Sequence, residues 1–474
     1  MDTLRPLCVD LDGTLIHTDL LVESALTLLH RNPLYLFCFF WWLAKGKVHL
    51  KTQIAQRAGV DASLLPYNHQ LLERLHALRT SRELVLVTAS DRRLAEEVAA
   101  HLGIFSQVLA SDGVTNLSGR RKAALLVQRY GERGFDYAGN ETVDLQVWNH
   151  SHTAIVVSSS KALPAKASQA AQEVEHIAVL RASPKTWMKA LRIHQWIKNT
   201  LVFIPLLASH RIFEVGAGVH AVLAFICFGL CASGVYLLND LLDLEADRAH
   251  RSKRHRPFAS GRLKLVYGLI AAPLLTIAAF VIAALTTPPS FVGLLAVYVA
   301  ATLTYSFKAK AVASLDVMFL AGLYTLRIIG GTLAIGSPLS FWLLAFSVFI
   351  FLSLAILKRC VELEVLAKAG NQQQAKGRGY VVSDLAVIQP MGVASGYLSV
   401  LVLALYISSH ASMTLYSKPE CLWLVCPCLL YWVTRAWLVA HRGKMLDDPV
   451  VFAVTDRTSL ITLFIAGLFA VLAV

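Results

Sequence analysis

Over the first 182 positions, hydrophobic residues come in short bursts. LCVD (7–10), LVLVT (84–88) and AIVVSS (154–159) are β-prone runs. Between them lie segments with helical spacing, such as RRLAEEVAAHL (92–102). This alternation predicts an α/β domain with a parallel sheet. PLYLFCFFWWLA (33–44) stands apart: it is intensely apolar, too short to cross a bilayer, and followed by Lys45, Lys47 and Lys51. A buried cap helix and an interfacial helix resting on a membrane both fit that run.

From about Trp187 the pattern changes to long apolar segments, near 198–209, 218–238, 264–285, 291–306, 314–335, 340–357, 386–408, 421–438 and 452–474. Each predicts a tilted membrane helix, the first and fourth being marginal in length, so about nine spans are expected. The joining loops alternate in charge. Those after the second, fourth, sixth and eighth segments hold 17 Lys or Arg, whereas the other four hold only Arg211 and Lys418. The positive-inside rule puts the basic loops and the N-terminal domain in the cytoplasm and the C-terminus outside. The division expected is 1–182 and 183–474.

Composition agrees. Hydrophobic residues make up 56% and charged residues 16%, and the mean hydropathy is +0.55. These values exclude an ordinary soluble enzyme and point to several membrane spans; the expected location is the inner (plasma) membrane. The net charge of +13 sits beside apolar segments, so it reflects membrane topology and not nucleic-acid binding. Eight cysteines show no metal spacing, and Cys426 and Cys428 flank Pro427 inside an apolar run, as buried thiols do. MDTLRPLCVDLDG at the N-terminus has no signal-peptide pattern.

Candidate chemistry is densest in NDLLDLEADRAHRSKRHRP (239–257), between two apolar segments. Asp240, Asp243 and Asp247 recur at three and four residues, which on one helix stacks them on a single face with Asn239. Glu245 points elsewhere. Stacked carboxylates repel unless a cation sits among them, and oxygen-only ligands suit Mg²⁺ carrying a substrate phosphate. The run Arg248, His250, Arg251, Lys253, Arg254, His255 and Arg256 then reads as a phosphate clamp.

N-D-x-x-D-x-x-x-D at the cytoplasmic end of the second span resembles the UbiA-type intramembrane prenyltransferase superfamily, over roughly residues 185–474. The resemblance implies an all-α domain with a central cavity and a Mg²⁺-held isoprenoid or related diphosphate. Aromatic prenyltransferases of that superfamily carry a second Asp-rich motif near the fifth span. Here Asp316 is followed four residues later by Leu320, and the same stretch offers Tyr305, Lys308, Lys310 and the intramembrane Arg327. With RIHQWIKN (192–199), LKRCVELE (357–364), GRGY (377–380) and DPVVFAVTDRTSL (448–460), it looks like the decaprenyl-phosphate phosphoribosyltransferase branch. That branch moves phosphoribose from phosphoribosyl diphosphate to a polyprenyl phosphate. An anionic acceptor oxygen needs no strong base but does need extra cations, for which Lys198, Lys308, Lys358 and Arg359 at span ends are candidates. Interfacial snorkelling explains each of these equally well alone.

CVDLDGTLIHTD (8–19) follows a predicted strand and resembles the haloacid dehalogenase-like phosphatases, over roughly residues 5–160. The resemblance implies Asp10 as nucleophile, Asp12 as general acid and base, Thr88 in LVLVTAS and Lys122 in SGRRKAALL as phosphate contacts, and Asp10, Asp12 and Asp144 around Mg²⁺, beneath a small helical cap. The usual acidic pair is altered: Asn140 follows Gly139, and Asp144 keeps the second place. A neutral carbonyl there lowers metal affinity, leaving a weak catalyst or a binding module. Fusion suggests that the phosphatase removes the 5-phosphate of the transferase product. An aromatic prenyltransferase, and a lipid-binding or transport protein with a regulatory phosphatase-like domain, are the alternatives.

Overall fold

The computed structural model describes residues 5–112, 115–179, 182–368, 378–445 and 448–474. The chain divides into two compact units: residues 1–191 with 236–273, and residues 192–235 with 274–474.

In the first unit six parallel strands form one sheet: β1 (Leu7–Val9), β2 (Leu84–Asp91), β3 (Gln107–Ser111), β4 (Asp136–Gly139), β5 (Thr153–Ser158) and β6 (Glu173–Ala178). Their order is β3-β2-β1-β4-β5-β6. The central strands are continuous apolar runs because both faces are covered. Alternate residues serve opposite cores: Leu7, Val9, Leu84, Leu86, Ile155 and Val157 face one, and Cys8, Val85, Val87, Ala154 and Val156 the other. The order reverses at β1, and the crevice beyond the strands' carboxyl ends at such a reversal is where open α/β sheets bind ligands. Asp10, Thr88 and Asn140 stand there.

Between β1 and β2 the chain inserts four α-helices, the first three being α1 (Leu20–Arg31), α2 (Tyr35–Ala44) and α3 (Lys47–Ala55). Asp19 starts α1 by accepting the Val22 N–H at 3.0 Å. One stripe of α2, Tyr35, Cys38, Phe39 and Trp42, packs with Leu28, Ile54 and Ala58. Of its ten residues only Trp42 is buried, which differs from a buried cap helix.

Among the described residues, seven helices are long and apolar enough to cross a membrane, or eight if the bent pair Pro449–Thr455 and Arg457–Ala473 is one span. The 198–209 segment, expected to be the first of nine, is instead a 3₁₀ helix (Ile193–Phe203) and a short α-helix (Ile204–Ala208). Pro205 within it cannot donate to a continuous ladder. The apolar window of Leu265–Thr286 is only 22% buried, and Leu274, Ile277, Val281 and Leu285 point outward. Such a surface needs a lipid solvent, and the chain is an integral multi-pass membrane protein.

In the second unit Phe341–Lys368 packs along Leu315–Ala334 and Leu385–Ile407, with Tyr324 stacked on Phe351 at 5.1 Å. Gly331 lets Leu315–Ala334 lie against the 3₁₀ segment, since a Cβ there would stand 2.1 Å from the Val202 carbonyl oxygen.

Candidate functional site

At the carboxyl edge of the sheet, β1 delivers Asp10, whose N–H donates to the Ala138 carbonyl at 2.9 Å. Lys122 Nζ donates to Asp10 Oδ1 at 2.8 Å and to the Tyr137 hydroxyl at 2.8 Å. Tyr137 in turn donates to Asp144 Oδ1 at 3.1 Å. Asp12 accepts from the Leu20 N–H at 2.8 Å, from Ser90 Oγ at 2.5 Å and, at 3.5 Å, from Thr88 Oγ1. Burial, with Asp19 nearby, pushes the Asp12 carboxyl up to about 7, a range suited to a general acid and base.

Asp144, expected as a metal ligand, is hydrogen-bonded through both oxygens. Its Oδ2 accepts the Asn140 and Glu141 N–H groups, both at 2.9 Å, and its Oδ1 the Tyr137 hydroxyl. Both oxygens help to hold the loop in place, and Oδ1, with a single hydrogen bond, keeps a lone pair for a further partner. Burial and then Asp10 push its carboxyl up to about 6. Asn140 accepts from Thr14 Oγ1 at 3.2 Å and lies over Gly13, where φ is +74° and a Cβ would stand 2.1 Å from Asn140 Nδ2.

The aspartate-rich segment lies in the same unit. A long apolar helix, α4 (Val215–Leu242), ends before Asp243, and α5 (Leu244–Ala249) follows. Asp243 has φ −94° and ψ 19°, so the three carboxylates do not share one helix face as expected. The turns still continue, since Asp243 N–H bonds the Asn239 carbonyl and Asp247 N–H the Asp243 carbonyl, at 2.9 and 2.8 Å. Asp240 and Asp247, both buried, converge on one nitrogen of Arg256, at 3.1 and 2.6 Å. Burial raises the Asp247 carboxyl while Arg256 opposes the shift. Asp243 turns instead toward His30 of α1, at 3.9 Å, beside a cavity of about 130 Å³ that α1 and this segment line together. Among the described residues no group of three or more His, Cys, Asp or Glu side chains is arranged to hold a metal ion.

The basic run divides. Lys253 and Arg254 are exposed, as a clamp for an incoming phosphate requires. Arg248 cannot serve in such a clamp, because it is buried, pairs with both Glu23 carboxylate oxygens, and donates Nε to the Ala259 carbonyl at 2.9 Å. Asn239 is half-buried at the end of α4.

The second unit gathers three further groups. Lys198 and Lys358 both donate to Asp448 Oδ2, Lys358 at 3.3 Å. Burial alone would raise the Asp448 carboxyl, but Lys358 and Lys198 hold it down at about 2. Arg327 donates to Asn199 Oδ1 at 2.8 Å, the Tyr298 hydroxyl at 2.9 Å and the Leu323 carbonyl at 2.5 Å, so this deep cation is held by neutral oxygens. Asp316, fully buried, accepts from the Tyr305 hydroxyl at 2.9 Å, from Arg359, and from Arg378 at 3.2 Å. Arg359 also pairs with Glu362. Asp316 thus acts as counter-ion to two guanidinium groups. Lys308 is exposed, and Gly377 of GRGY lies outside the described residues.

The family model described as the UbiA prenyltransferase family matches residues 200–472. The chain belongs to that family. Its relatives include Uncharacterized protein y4nM of Sinorhizobium fredii, 38% identical over 461 residues, 97% of this chain and 89% of that protein. Nodulation protein NoeC of Azorhizobium caulinodans is 37% identical over 58% of this chain and 89% of its own length. Decaprenyl-phosphate phosphoribosyltransferase of Mycolicibacterium smegmatis is 36% identical over 42% of this chain and 64% of its own.

In this UbiA-family chain, sequence reasoning missed Asp448, Arg378, Ser90, Tyr137 and Glu23 as partners. The first four lie within or beside quoted motifs. Glu23 carried no signal at all, because its partner is 225 positions away.

Proposed function

We propose that the UbiA-type region transfers 5-phosphoribose from phosphoribosyl diphosphate to a polyprenyl phosphate, with Mg²⁺. The observation that carries the reading is the convergence of the buried Asp240 and Asp247 carboxylates on one cationic nitrogen of Arg256. That nitrogen stands in for a bridging cation, and the donor set, carboxylate oxygens without sulfur or imidazole, fits a hard divalent ion. Mg²⁺ bound there would neutralise the leaving diphosphate. In the transfer the bond between ribose C1 and the diphosphate oxygen breaks and a bond from C1 to the acceptor phosphate oxygen forms, with no proton to remove.

Lys253 and Arg254 are assigned to the donor's phosphates, with Asn239 steadying the aspartate segment. Lys198 and Lys358, held by Asp448, and Lys308 are assigned to the anionic acceptor. Tyr305, Asp316 and Arg359 are assigned to positioning through their shared hydrogen bonds. The lone Asp316, occupied by two arginines, favours phosphoribosyl over aromatic prenyl transfer. Support also comes from the similarity to decaprenyl-phosphate phosphoribosyltransferase.

For residues 1–182 we infer a haloacid dehalogenase-like phosphatase acting on the 5-phosphate of the product. Asp10 as nucleophile, Asp12 as acid and base, and Lys122 and Thr88 at the phosphoryl group fit the edge geometry. Asp10, Asp12 and Asp144 would hold Mg²⁺, with the Asn140 carbonyl oxygen as a weak further donor. The basic loops favour the cytoplasmic face of the inner membrane for this domain.

The test is incubation of membranes carrying the protein with labelled phosphoribosyl diphosphate and polyprenyl phosphate, followed by lipid extraction. Label in the lipid fraction is expected. A prenylated aromatic product overturns the donor assignment, and no labelled lipid overturns the transferase reading.

A further inference from the structure

α2 has apolar side chains on both faces. One stripe is packed in the protein. The other presents Phe37, Phe40 and Trp41 at 71%, 67% and 66% exposure, with Leu36 and Leu43 beside them. No charged residue occurs in its ten positions. At 1.5 Å per residue it is about 15 Å long, half of what crossing a bilayer needs. Lys45 and Lys47 follow directly, and Lys45 Nζ lies 5.3 Å from the Trp41 ring centroid. Aromatic rings beside lysines match the interface where acyl chains meet anionic headgroups.

The same compact unit includes residues 236–273, hence the ends of two membrane-grade helices, so the patch belongs to a body already tied to the bilayer. A second copy is the poorer occupant. A two-fold contact through α2 would bring like-charged lysines together, whereas a lipid surface pairs them with phosphate.

The link to chemistry runs through α3. Lys51 Nζ donates to the Ala89 carbonyl at 3.0 Å and to Asn116 Oδ1 at 3.2 Å. Lys51, Ile54 and Ala55 line a small cleft with Ser90 and Asp91, and Ser90 holds Asp12. α3, which follows α2 after two residues and packs with it, therefore sits against the strand end that carries Ser90, at the side of the phosphatase-like site.

We propose that α2 lies in the plane of the membrane surface and, through α3, holds that side of the site there, so that the site takes a phosphate ester carried on a lipid. The substrate half of this proposal rests on the phosphatase reading above; the membrane half does not.

Two measurements on the full-length protein in phosphatidylethanolamine–phosphatidylglycerol nanodiscs separate the halves. A photo-crosslinking phenylalanine analogue is placed at Phe37 or Phe40, and at the exposed Glu97 as control. Lipid adducts at Phe37 and Phe40 but not at Glu97 are expected. Adducts to a second copy or to the chain itself, or no adduct, overturn the membrane contact. Next, Phe37→Ser/Phe40→Ser/Trp41→Ser is compared with wild type. KM for a polyprenyl-linked phosphate ester should rise about tenfold or more, while kcat/KM for soluble p-nitrophenyl phosphate stays within about twofold. Equal loss on both esters, or no loss on the lipid ester, overturns the substrate class. If wild type hydrolyses neither ester, the phosphatase reading fails, and the crosslinks still decide the membrane contact.

Discussion

Arg248 and Glu23, 225 positions apart in the chain, close a buried two-pronged ion pair, Nη1 to Oε2 at 2.8 Å and Nη2 to Oε1 at 2.5 Å. It ties α1 to the segment that carries Asp240, Asp243 and Asp247.

Removing one partner strands a buried charge. Glu23→Ala should destabilise the first unit by about 3–5 kcal/mol, seen as a lower unfolding midpoint in detergent. Glu23→Leu with Arg248→Met should recover much of the loss. Equal midpoints for wild type and Glu23→Ala would show that the pair contributes nothing.

Asp240→Asn should lower phosphoribosyl transfer at least about 100-fold while the protein stays folded and membrane-inserted, since a few kcal/mol of transition-state stabilisation goes with the carboxylate. Asp247→Asn should do the same, because it shares the Arg256 nitrogen with Asp240. Near-normal lipid labelling by both variants at saturating Mg²⁺ would refute the assignment.

Acid should weaken the second unit through Asp448. Its folded carboxyl sits at about 2, below the ordinary 3.8, so the folded state releases this proton more readily than the unfolded chain. The stabilisation, on the order of 2 kcal/mol, is present above about pH 4 and lost as pH falls toward 2. Asp448→Asn should remove that part of the acid dependence and lower stability at neutral pH. Thermal unfolding across pH 2–6 measures both effects.

Asp10→Asn should abolish phosphate release from the ribosyl lipid and let the 5-phosphorylated lipid accumulate in the full-length protein. Asn140→Asp adds a charged oxygen donor and should raise apparent Mg²⁺ affinity. Wild type that leaves this lipid untouched at saturating Mg²⁺ would make the domain a binding module.

Local pattern carried the strands well. LVLVT and AIVVSS were legible because a doubly covered parallel strand is a continuous apolar run, and D-x-D-G-T placed Asp10 and Asp12 at a strand end. Long apolar helices were equally plain. Less was legible where one residue redirects the backbone. Asp243 leaves helical geometry, so spacing alone put three carboxylates on one face when only Asp240 and Asp247 converge. The 198–209 run has the composition of a span, but Pro205 and a 3₁₀ segment divide it. Long-range pairing was the least visible. Nothing near Arg248 announces Glu23, and a basic residue in a basic run reads as part of a phosphate clamp until its partner is seen.

Arg256 gives the Asp240–Asp247 pair a resident competitor. Any cation that binds there contends with a tethered guanidinium whose local concentration is fixed by the chain and does not dilute away. The affinity read by a titration is therefore lower than the carboxylates alone would show. A guanidinium set free becomes a positive group beside the site, available to an arriving anion. One side chain thus opposes a lone cation yet rewards cation and anion arriving together, and by linkage the benefit is equal in both directions. Arg256→Ala should tighten Mg²⁺ in the absence of diphosphate and reduce the mutual enhancement between the two to the part that their direct contact supplies.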